Sequence, residues 1–401
     1  MTPFYYVALS LIALYLEIRA YQILRGKNPG LRIFLAVLIA LSMGLYPYLM
    51  MLGVTHPWPN AHEALSVIGV FFSTAAFFSV FLLILDVIWL ISFIITRLFR
   101  GRRCGNRMPL KLYGGLLALC AVLAVWGGWN VKTDPPVKNV AVTVPRLPAD
   151  LDGLKIVQLT DIHVSPLYEK ERFTDLVKKV NAQNPDFIFI TGDIADGTPQ
   201  SRRAIMPFLH DLKAKIGVVM IPGNHDYYVD YTAWRHYYKS IGVPFLENGH
   251  VEFRKGDDVI HRDDIEFRKG DDVITVVGMT DRSGIQYGYP GPDIEKATFG
   301  ADASNALRIG LIHRPEDAAK WADPRWGLDL LLAGHTHGGQ IFIMYPSVWL
   351  QNHGYVRGLY HVGNIPFYVS PGIGSWSGTP TRIGAPTEIT LLTLHSPEKT
   401  H

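Results

Sequence analysis

Four long apolar stretches dominate the first third of the chain. They cover residues 4–24, 33–54, 64–96 and 112–131, with few polar residues inside them. Because a helix needs about 20 apolar residues to cross a bilayer, this pattern predicts four membrane-spanning helices. We therefore expect residues 1–133 to form a multi-pass α-helical membrane region.

The hydrophobic pattern changes after residue 133. Residues 134–137 contain two consecutive prolines, which cannot continue a helix and so indicate a linker. Beyond them, short apolar runs of strand length alternate with helical stretches, a pattern typical of an α/β sandwich. We expect this second domain to cover residues 138–396 and to be followed by a short tail, residues 397–401.

Basic residues are concentrated in the first region, where 11 Lys and Arg stand against 3 Asp and Glu. Nine of these positive charges lie between the apolar stretches, in residues 25–32 and 97–111, whereas residues 55–63 contain none. The positive-inside rule places basic loops in the cytoplasm. The α/β domain is then predicted to lie outside the cytoplasm, in the periplasm or the extracellular space.

The composition of the second domain limits what it can bind. Its acidic residues outnumber its basic ones, which argues against nucleic acid as a partner. Both cysteines of the chain, Cys104 and Cys120, precede this domain, so it has neither an internal disulfide nor a thiolate zinc site. Any metal ion there must be held by oxygen and nitrogen ligands.

One segment of the second domain is repeated. Residues 251–260 recur almost unchanged as residues 265–274. Each copy predicts a strand, a Lys-Gly-Asp turn and a second strand, and the repeat is too short for a solenoid. We interpret it as a tandem duplication of one hairpin that carries no chemistry.

Candidate metal ligands follow five predicted strands, each directly at the strand's carboxyl end. In open α/β sheets these ends form the crevice where ligands bind, so we expect the five segments to converge on one site. The candidate side chains are Asp161 and His163, Asp193, Asn224 with His225 and Asp226, His313, and His335 with His337. In Asp161-x-His163 and in His335-x-His337, an extended backbone would direct both side chains to the same face.

This set of side chains indicates the kind of metal site. Carboxylates, an amide and imidazoles without thiolates suit manganese, iron or zinc. Two such ions held ~3.5–4 Å apart can clamp both oxygens of an in-line displacement, which requires one bridging carboxylate. Glycines beside the candidates, such as Gly223 and Gly334, would let the backbone approach an anion.

These motifs resemble those of the calcineurin-like metallophosphoesterases. The signature is carried by Asp161-x-His163, Gly192-Asp193, Gly223-Asn-His-Asp226, His313 and Gly334-His-Thr-His337. Residues 338–340, 357–360 and 368–374 are similar to the YkuE and YaeI branch of membrane-anchored phosphohydrolases. The resemblance covers residues 138–395 and implies a four-layer α/β sandwich with two divalent metal ions, manganese first, with iron or zinc as alternatives. It also implies a bacterial inner (cytoplasmic) membrane location.

The resemblance further implies a role for each candidate residue. Asp161, His163 and His337 would hold the first metal, and Asn224, His313 and His335 the second. Asp193 would bridge the two metals. His225 would protonate the leaving oxygen, with Asp226 orienting it, and a metal-activated hydroxide would attack the phosphoester.

Three functions fit these observations. The first is a membrane-anchored hydrolase of phosphoesters, with lipid-linked or envelope molecules as substrates. The second is a pyrophosphatase of nucleotide-activated lipid precursors such as UDP-2,3-diacylglucosamine, which the predicted topology disfavours because that substrate faces the cytoplasm. The third is a non-catalytic membrane sensor that uses the metal fold to bind a ligand. The complete ligand set together with His225 favours the first.

Overall fold

The computed structural model describes residues 3–58, 60–100, 109–254, 273–301 and 307–397. The backbone divides into two compact units, one mainly of long helices and one mainly of strands and short helices. Each unit is described by itself below.

The helical unit contains four long helices, as the apolar pattern predicts. They are α1 (Pro3–Ile23), α2 (Pro29–Thr55), α3 (Ala61–Arg100) and α4 (Leu110–Lys132). All four are long and apolar enough to cross a membrane. The multi-pass helical region is therefore confirmed by length and composition.

An ion pair joins two of these helices. Arg19 of α1 lies 2.9 Å from the Asp86 carboxylate of α3, and the Tyr15 hydroxyl donates to the same carboxylate at 2.8 Å. A charge inside an apolar helix is costly unless it is paired. Asp86 is thus explained as a helix–helix contact.

Eleven described strands form two sheets in the second unit. They are β1 (Val137–Thr143), β2 (Lys155–Leu159), β3 (Phe187–Thr191), β4 (Gly217–Ile221), β5 (Gly249–Arg254), β6 (Val273–Gly278), β7 (Leu307–Leu311), β8 (Leu330–Ala333), β9 (Gly358–Val362), β10 (Ile365–Val369) and β11 (Ile389–His395). The first sheet has the order β1-β11-β2-β3-β4 and the second the order β5-β6-β7-β8-β10-β9. Each strand predicted to precede a ligand motif is present, in β2, β3, β4, β7 and β8.

The two sheets pack face to face. Their shared core contains Ile156, Phe189 and Val219 from the first sheet and Ile309 and Leu332 from the second, all fully buried. Because successive side chains of a strand point to opposite faces, alternate residues of each sheet are free to pack against helices.

Helices alternate with the strands along the chain of this unit. The described ones are α5 (Lys170–Asn181), α6 (Pro199–Arg202), α7 (Asn224–Tyr228), α8 (Tyr231–Ser240), α9 (Ile294–Thr298), α10 (Ala318–Trp321) and α11 (Tyr345–Gln351). Trp321 of α10 and Ile294 of α9 pack with Leu331 and Phe367 on the outer face of the second sheet. The helical membrane region followed by an α/β sandwich is thereby confirmed.

The repeat lies largely outside the described residues. Strands β5 and β6 pair in antiparallel fashion, with Phe253 opposite Ile274. The chain between them, residues 255–272, contains the predicted turns and most of both copies and falls outside the described part of the chain.

Candidate metal centre

The candidate ligands converge at the carboxyl ends of strands from both sheets. Three groups of side chains each place one possible ligand atom per residue within 4.8 Å of one another. The groups are Asp161 with His163, Asp193 and His337; Asp193 with His313 and His335; and His163 with Asp196 and His225. Asp193 belongs to the first two groups and so connects them.

The Asp193 carboxylate lies between two imidazole rings. Its Oδ2 is 3.6 Å from Nε2 of His163 and 3.3 Å from Nε2 of His313. Its Oδ1 accepts the backbone N–H of His225 at 2.7 Å, which fixes the carboxyl plane. The carboxylate therefore has a candidate nitrogen ligand on each side.

On one side of Asp193, a carboxylate oxygen and an imidazole nitrogen meet. Oδ1 of Asp161 is buried 3.3 Å from Nε2 of His337 and accepts no hydrogen bond from any residue that the structure describes. The other oxygen, Oδ2, is held by Thr160 Oγ1 and the His335 backbone N–H, both at 2.9 Å. A buried carboxylate oxygen without a donor is costly, and a cation there would satisfy it.

On the other side, His313 and Asn224 share a second position. Nδ1 of His313 donates to the Thr191 carbonyl at 2.8 Å, so Nε2 is the ring atom that could bind a cation in exchange for its proton. Oδ1 of Asn224 lies 3.1 Å from that Nε2. His335 is beside them, with its ring centroid 5.1 Å from that of His313.

The backbone of the centre is strained rather than extended. Asp161, His163, Asp193, His335 and His337 all have positive φ, between 46° and 70°. The prediction that each D-x-H or H-x-H pair shares a face through extended alternation was therefore wrong, because these residues adopt the left-handed region. Such conformations cost about 1–3 kcal/mol each and concentrate at functional sites.

Two glycines allow the carboxylates to approach the backbone. A Cβ on Gly223 would clash with the backbone nitrogen and Oδ1 of Asp193. A Cβ on Gly334 would clash with Thr160 Oγ1 and with Oδ2 of Asp161. Glycine is thus required at both positions because of space.

Comparison with known proteins agrees with this arrangement. The profile of the calcineurin-like phosphoesterase family matches residues 154–339. The metallophosphoesterase YkuE of Bacillus subtilis is 33% identical over 304 residues, which cover 74% of this chain and 99% of that protein. The chain belongs to the calcineurin-like phosphoesterase family. This family is a class of metal-dependent phosphoester hydrolases, so the donor set and the family both indicate divalent cations.

Two further calcineurin-like relatives are matched over a smaller share of their own length than YkuE is. A transmembrane protein with metallophosphoesterase domain from Danio rerio is 34% identical over 282 residues, which cover 69% of this chain. A metallophosphoesterase of Campylobacter jejuni is 34% identical over 272 residues, which cover 66% of this chain. The matched regions span 61% and 64% of the lengths of these two relatives.

In this calcineurin-like centre, the partner of His225 differs from the expected one. We expected Asp226 to orient the ring, but Nδ1 of His225 lies 2.6 Å from Oδ1 of Asp196. The Asp226 carboxylate instead accepts the backbone N–H groups of Gly223 at 2.8 Å and Asp193 at 3.1 Å. The expectation was wrong because Asp226 stabilises the loops that carry the ligands and does not contact the ring.

Asp196 contacts two histidines at once. Its second oxygen, Oδ2, lies 3.2 Å from Nδ1 of His163, whose Nε2 faces the metal centre. Burial acts to raise the pKa of Asp196, but His163 and His225 outweigh it and hold this pKa well below its usual range. A carboxylate behind a ligating imidazole fixes the tautomer of the ring. The signal for Asp196 in the sequence is its place three residues after Asp193, in the same loop after β3.

The carboxylates make the centre attractive to cations. Burial acts to lower the pKa of His163 and of His313, yet Asp196 raises the first to about 9 and Asp193 raises the second to about 10. By contrast, burial holds the pKa of His335 and His337 well below the usual value, helped by Arg314 and by His163 respectively. The last two imidazoles are therefore neutral at pH 7, the state that binds metal.

Arg314 is a second residue that motif reasoning missed. Its Nη1 donates to Nε2 of His335 at 2.9 Å, and its Nε and Nη2 are held by Asp281 at 2.7 Å and Ser283 at 3.1 Å. The guanidinium thus positions the His335 ring. Only its place directly after His313 could have suggested this contact.

Proposed function

We propose that this protein is a membrane-anchored, two-metal phosphohydrolase that acts on lipid-linked or envelope phosphoesters. The observation that carries this proposal is the Asp193 carboxylate, placed between the imidazoles of His163 and His313. A single structural metal would not require a carboxylate shared by two groups of ligands.

The contacts support one assignment of the ligands. We assign Asp161, His163 and His337 to one cation, Asn224, His313 and His335 to the other, and Asp193 to both. When bound, the two cations would supply positive charge for the phosphoryl oxygens and lower the pKa of a water molecule. Manganese is the metal we propose first, with iron or zinc as alternatives, because carboxylate, amide and imidazole donors without thiolates suit these ions.

His225 is proposed to handle the proton of the leaving group. Asp196 occupies Nδ1 of the ring, so Nε2 is the atom that can give a proton to the departing oxygen. The His225 side chain is mostly buried but reaches solvent, whereas the rings of His163 and His313 are fully buried. It is thus better placed to meet a substrate than either of those two histidines.

The proposal also assigns a role to each part of the chain. Residues 1–133 would anchor the protein in a bacterial inner membrane, residues 134–137 would link, and residues 138–396 would catalyse, outside the cytoplasm. A reporter fused after residue 133 should be active as alkaline phosphatase and dark as a fluorescent protein that folds only in the cytoplasm. The reverse result would overturn this orientation.

Turnover assays test the activity. The purified full chain should hydrolyse p-nitrophenyl phosphate or its bis-ester when manganese is added, and should lose that activity after chelation. The variant Asp175→Asn, in an exposed pair with Lys178, serves as a matched control that keeps full activity. A protein that binds two metals per chain but turns over neither ester would instead be a metal-dependent sensor.

A further inference from the structure

An uncharged, apolar surface lies directly after the last ligand motif. Phe342, Tyr345, Trp349 and Leu350 are 49%, 40%, 51% and 72% exposed, and we call these four residues the apolar edge. Tyr345, Trp349 and Leu350 belong to α11, and Phe342 lies just before it. Large apolar side chains that cluster on a surface indicate an interaction site.

The charge pattern separates this surface from an ordinary one. No Asp, Glu, Lys or Arg occurs between His337 and Arg357 in the sequence. A short surface helix normally carries charges on its solvent face, so water is an unfavourable environment for the apolar edge. This segment itself therefore offers no charge complementarity to a nucleic acid or to an acidic or basic peptide. The guanidinium of Arg357, which lies beside it, donates to the Gly384 carbonyl at 2.8 Å.

The apolar edge is firmly connected to the metal centre. A Cβ on Gly339, two residues after the ligand His337, would lie only 3.1 Å from the Tyr345 ring. Between them, the Gln340 side chain is buried and accepts the backbone N–H of Trp376 at 2.9 Å. The apolar edge therefore follows the candidate ligands closely in sequence and packs against the segment that carries them.

The rest of the chain indicates what would bind the apolar edge. Four helices long enough to cross a membrane keep the protein at a bilayer, and Trp and Tyr are the side chains that favour the boundary between headgroups and acyl chains. We propose that the apolar edge docks on this lipid boundary and delivers lipid-borne phosphoesters to the metal centre. The delivery of substrate rests on the proposed function, whereas the docking rests only on the apolar edge.

Lipid quenching tests the docking without reference to catalysis. The full chain with Cys104→Ser, Cys120→Ser and Trp349→Cys carries one environment-sensitive fluorophore and is reconstituted in phosphatidylcholine and phosphatidylglycerol vesicles. Spin-labelled lipids should quench this fluorophore and shift its emission to the blue. The matched control is Phe299→Cys, an equally apolar position that is 84% exposed elsewhere on the unit and should not be quenched. Absence of quenching at position 349, or equal quenching at both positions, would overturn the proposal. It would also be overturned if, in detergent, the fluorophore at position 349 were shielded to a degree that depends on protein concentration, because that result indicates contact with a second copy of the chain.

Activity on two substrates tests the delivery. The double variant Trp349→Ser with Leu350→Ser should lower turnover of phosphatidic acid in vesicles about tenfold or more, since burial of the exposed parts of two large apolar side chains is lost. Turnover of soluble p-nitrophenyl phosphate should be unchanged, and Phe299→Ser should affect neither substrate. An equal fall on both substrates, or no fall on either, would overturn delivery by the edge. If the wild-type chain does not hydrolyse soluble p-nitrophenyl phosphate, the proposed function is overturned instead. The quenching result would still decide whether the edge docks on lipid.

Discussion

Replacing Asp196 with asparagine should weaken both metal binding and proton transfer, by different amounts. The carboxylate is 2.6 Å from Nδ1 of His225 and 3.2 Å from Nδ1 of His163, and it is almost fully buried. Asparagine has nearly the same shape but only one oxygen, so it can accept from one ring and must present its amide to the other. The shorter contact, with His225, is the one we expect to survive.

The magnitudes follow from these two contacts. A hydrogen bond to a charged group contributes about 1.5–3 kcal/mol and one between neutral groups about 0.5–1.5 kcal/mol. Losing the charge at His225 should therefore cost about 1–1.5 kcal/mol, which lowers turnover about fivefold to tenfold. At His163 the partner is lost altogether, and such losses behind a ligating histidine weaken metal affinity about 10–100-fold.

The assay measures both effects on the same preparations. Bound metal per chain is determined by elemental analysis over a range of free manganese, and kcat is measured at saturating manganese with p-nitrophenyl phosphate and with phenyl phosphate. Phenol is the poorer leaving group and should show the larger fall in kcat. Asp175→Asn is the matched control at the surface. If Asp196→Asn resembles this control in metal content and in kcat, Asp196 does not position either histidine and the reasoning is refuted.

Three further substitutions and one deletion probe the rest of the domain. Asp193→Asn should release metal and abolish activity, whereas His225→Ala should keep its metal and lose ~10²–10⁴-fold in kcat; metal loss in both would make His225 a ligand. Gly334→Ala should reduce the free energy of unfolding by about 1–3 kcal/mol, the cost of overpacking, and so lower the thermal midpoint. It should also reduce bound metal, because its Cβ would displace the Asp161 carboxylate. An unchanged thermal midpoint and metal content would contradict this. Deletion of residues 251–264 should leave folding and metal content intact, since one copy of the repeat remains and loop length is energetically cheap; metal loss would show that the repeat shapes the centre.

The elements that the sequence predicts well are those that depend on hydrophobic pattern. The four long helices require only uninterrupted apolar runs, and β3 requires only the buried run from Phe187 to Thr191. The convergence of the ligands follows next, because β2, β3 and β4 are adjacent and parallel and therefore end on the same side of their sheet. Pattern and topology thus account for which residues meet.

The fine geometry could not be predicted, for two physical reasons. His225 and Asp226 are neighbours in the helix α7, and consecutive helical residues point in different directions. Adjacency in sequence therefore suggested a contact that the helix prevents, and Asp196 from another loop took that place. The second reason is the positive φ of residues such as Asp161 and His163, which depends on contacts across the fold and leaves no periodic signal.

Three candidate ligands, two of which have positive φ, are held by contacts other than those to metal. Oδ2 of Asp161 is fixed by a backbone N–H, Oδ1 of Asp193 by another, and Nδ1 of His313 by a carbonyl. In each case one atom of the side chain is tied to the backbone and a second atom is left facing the centre. The protein itself therefore positions these candidate ligands through its own backbone contacts. Under the proposed function, a centre organised in this way would need little rearrangement to hold two cations and to direct their charge at a substrate.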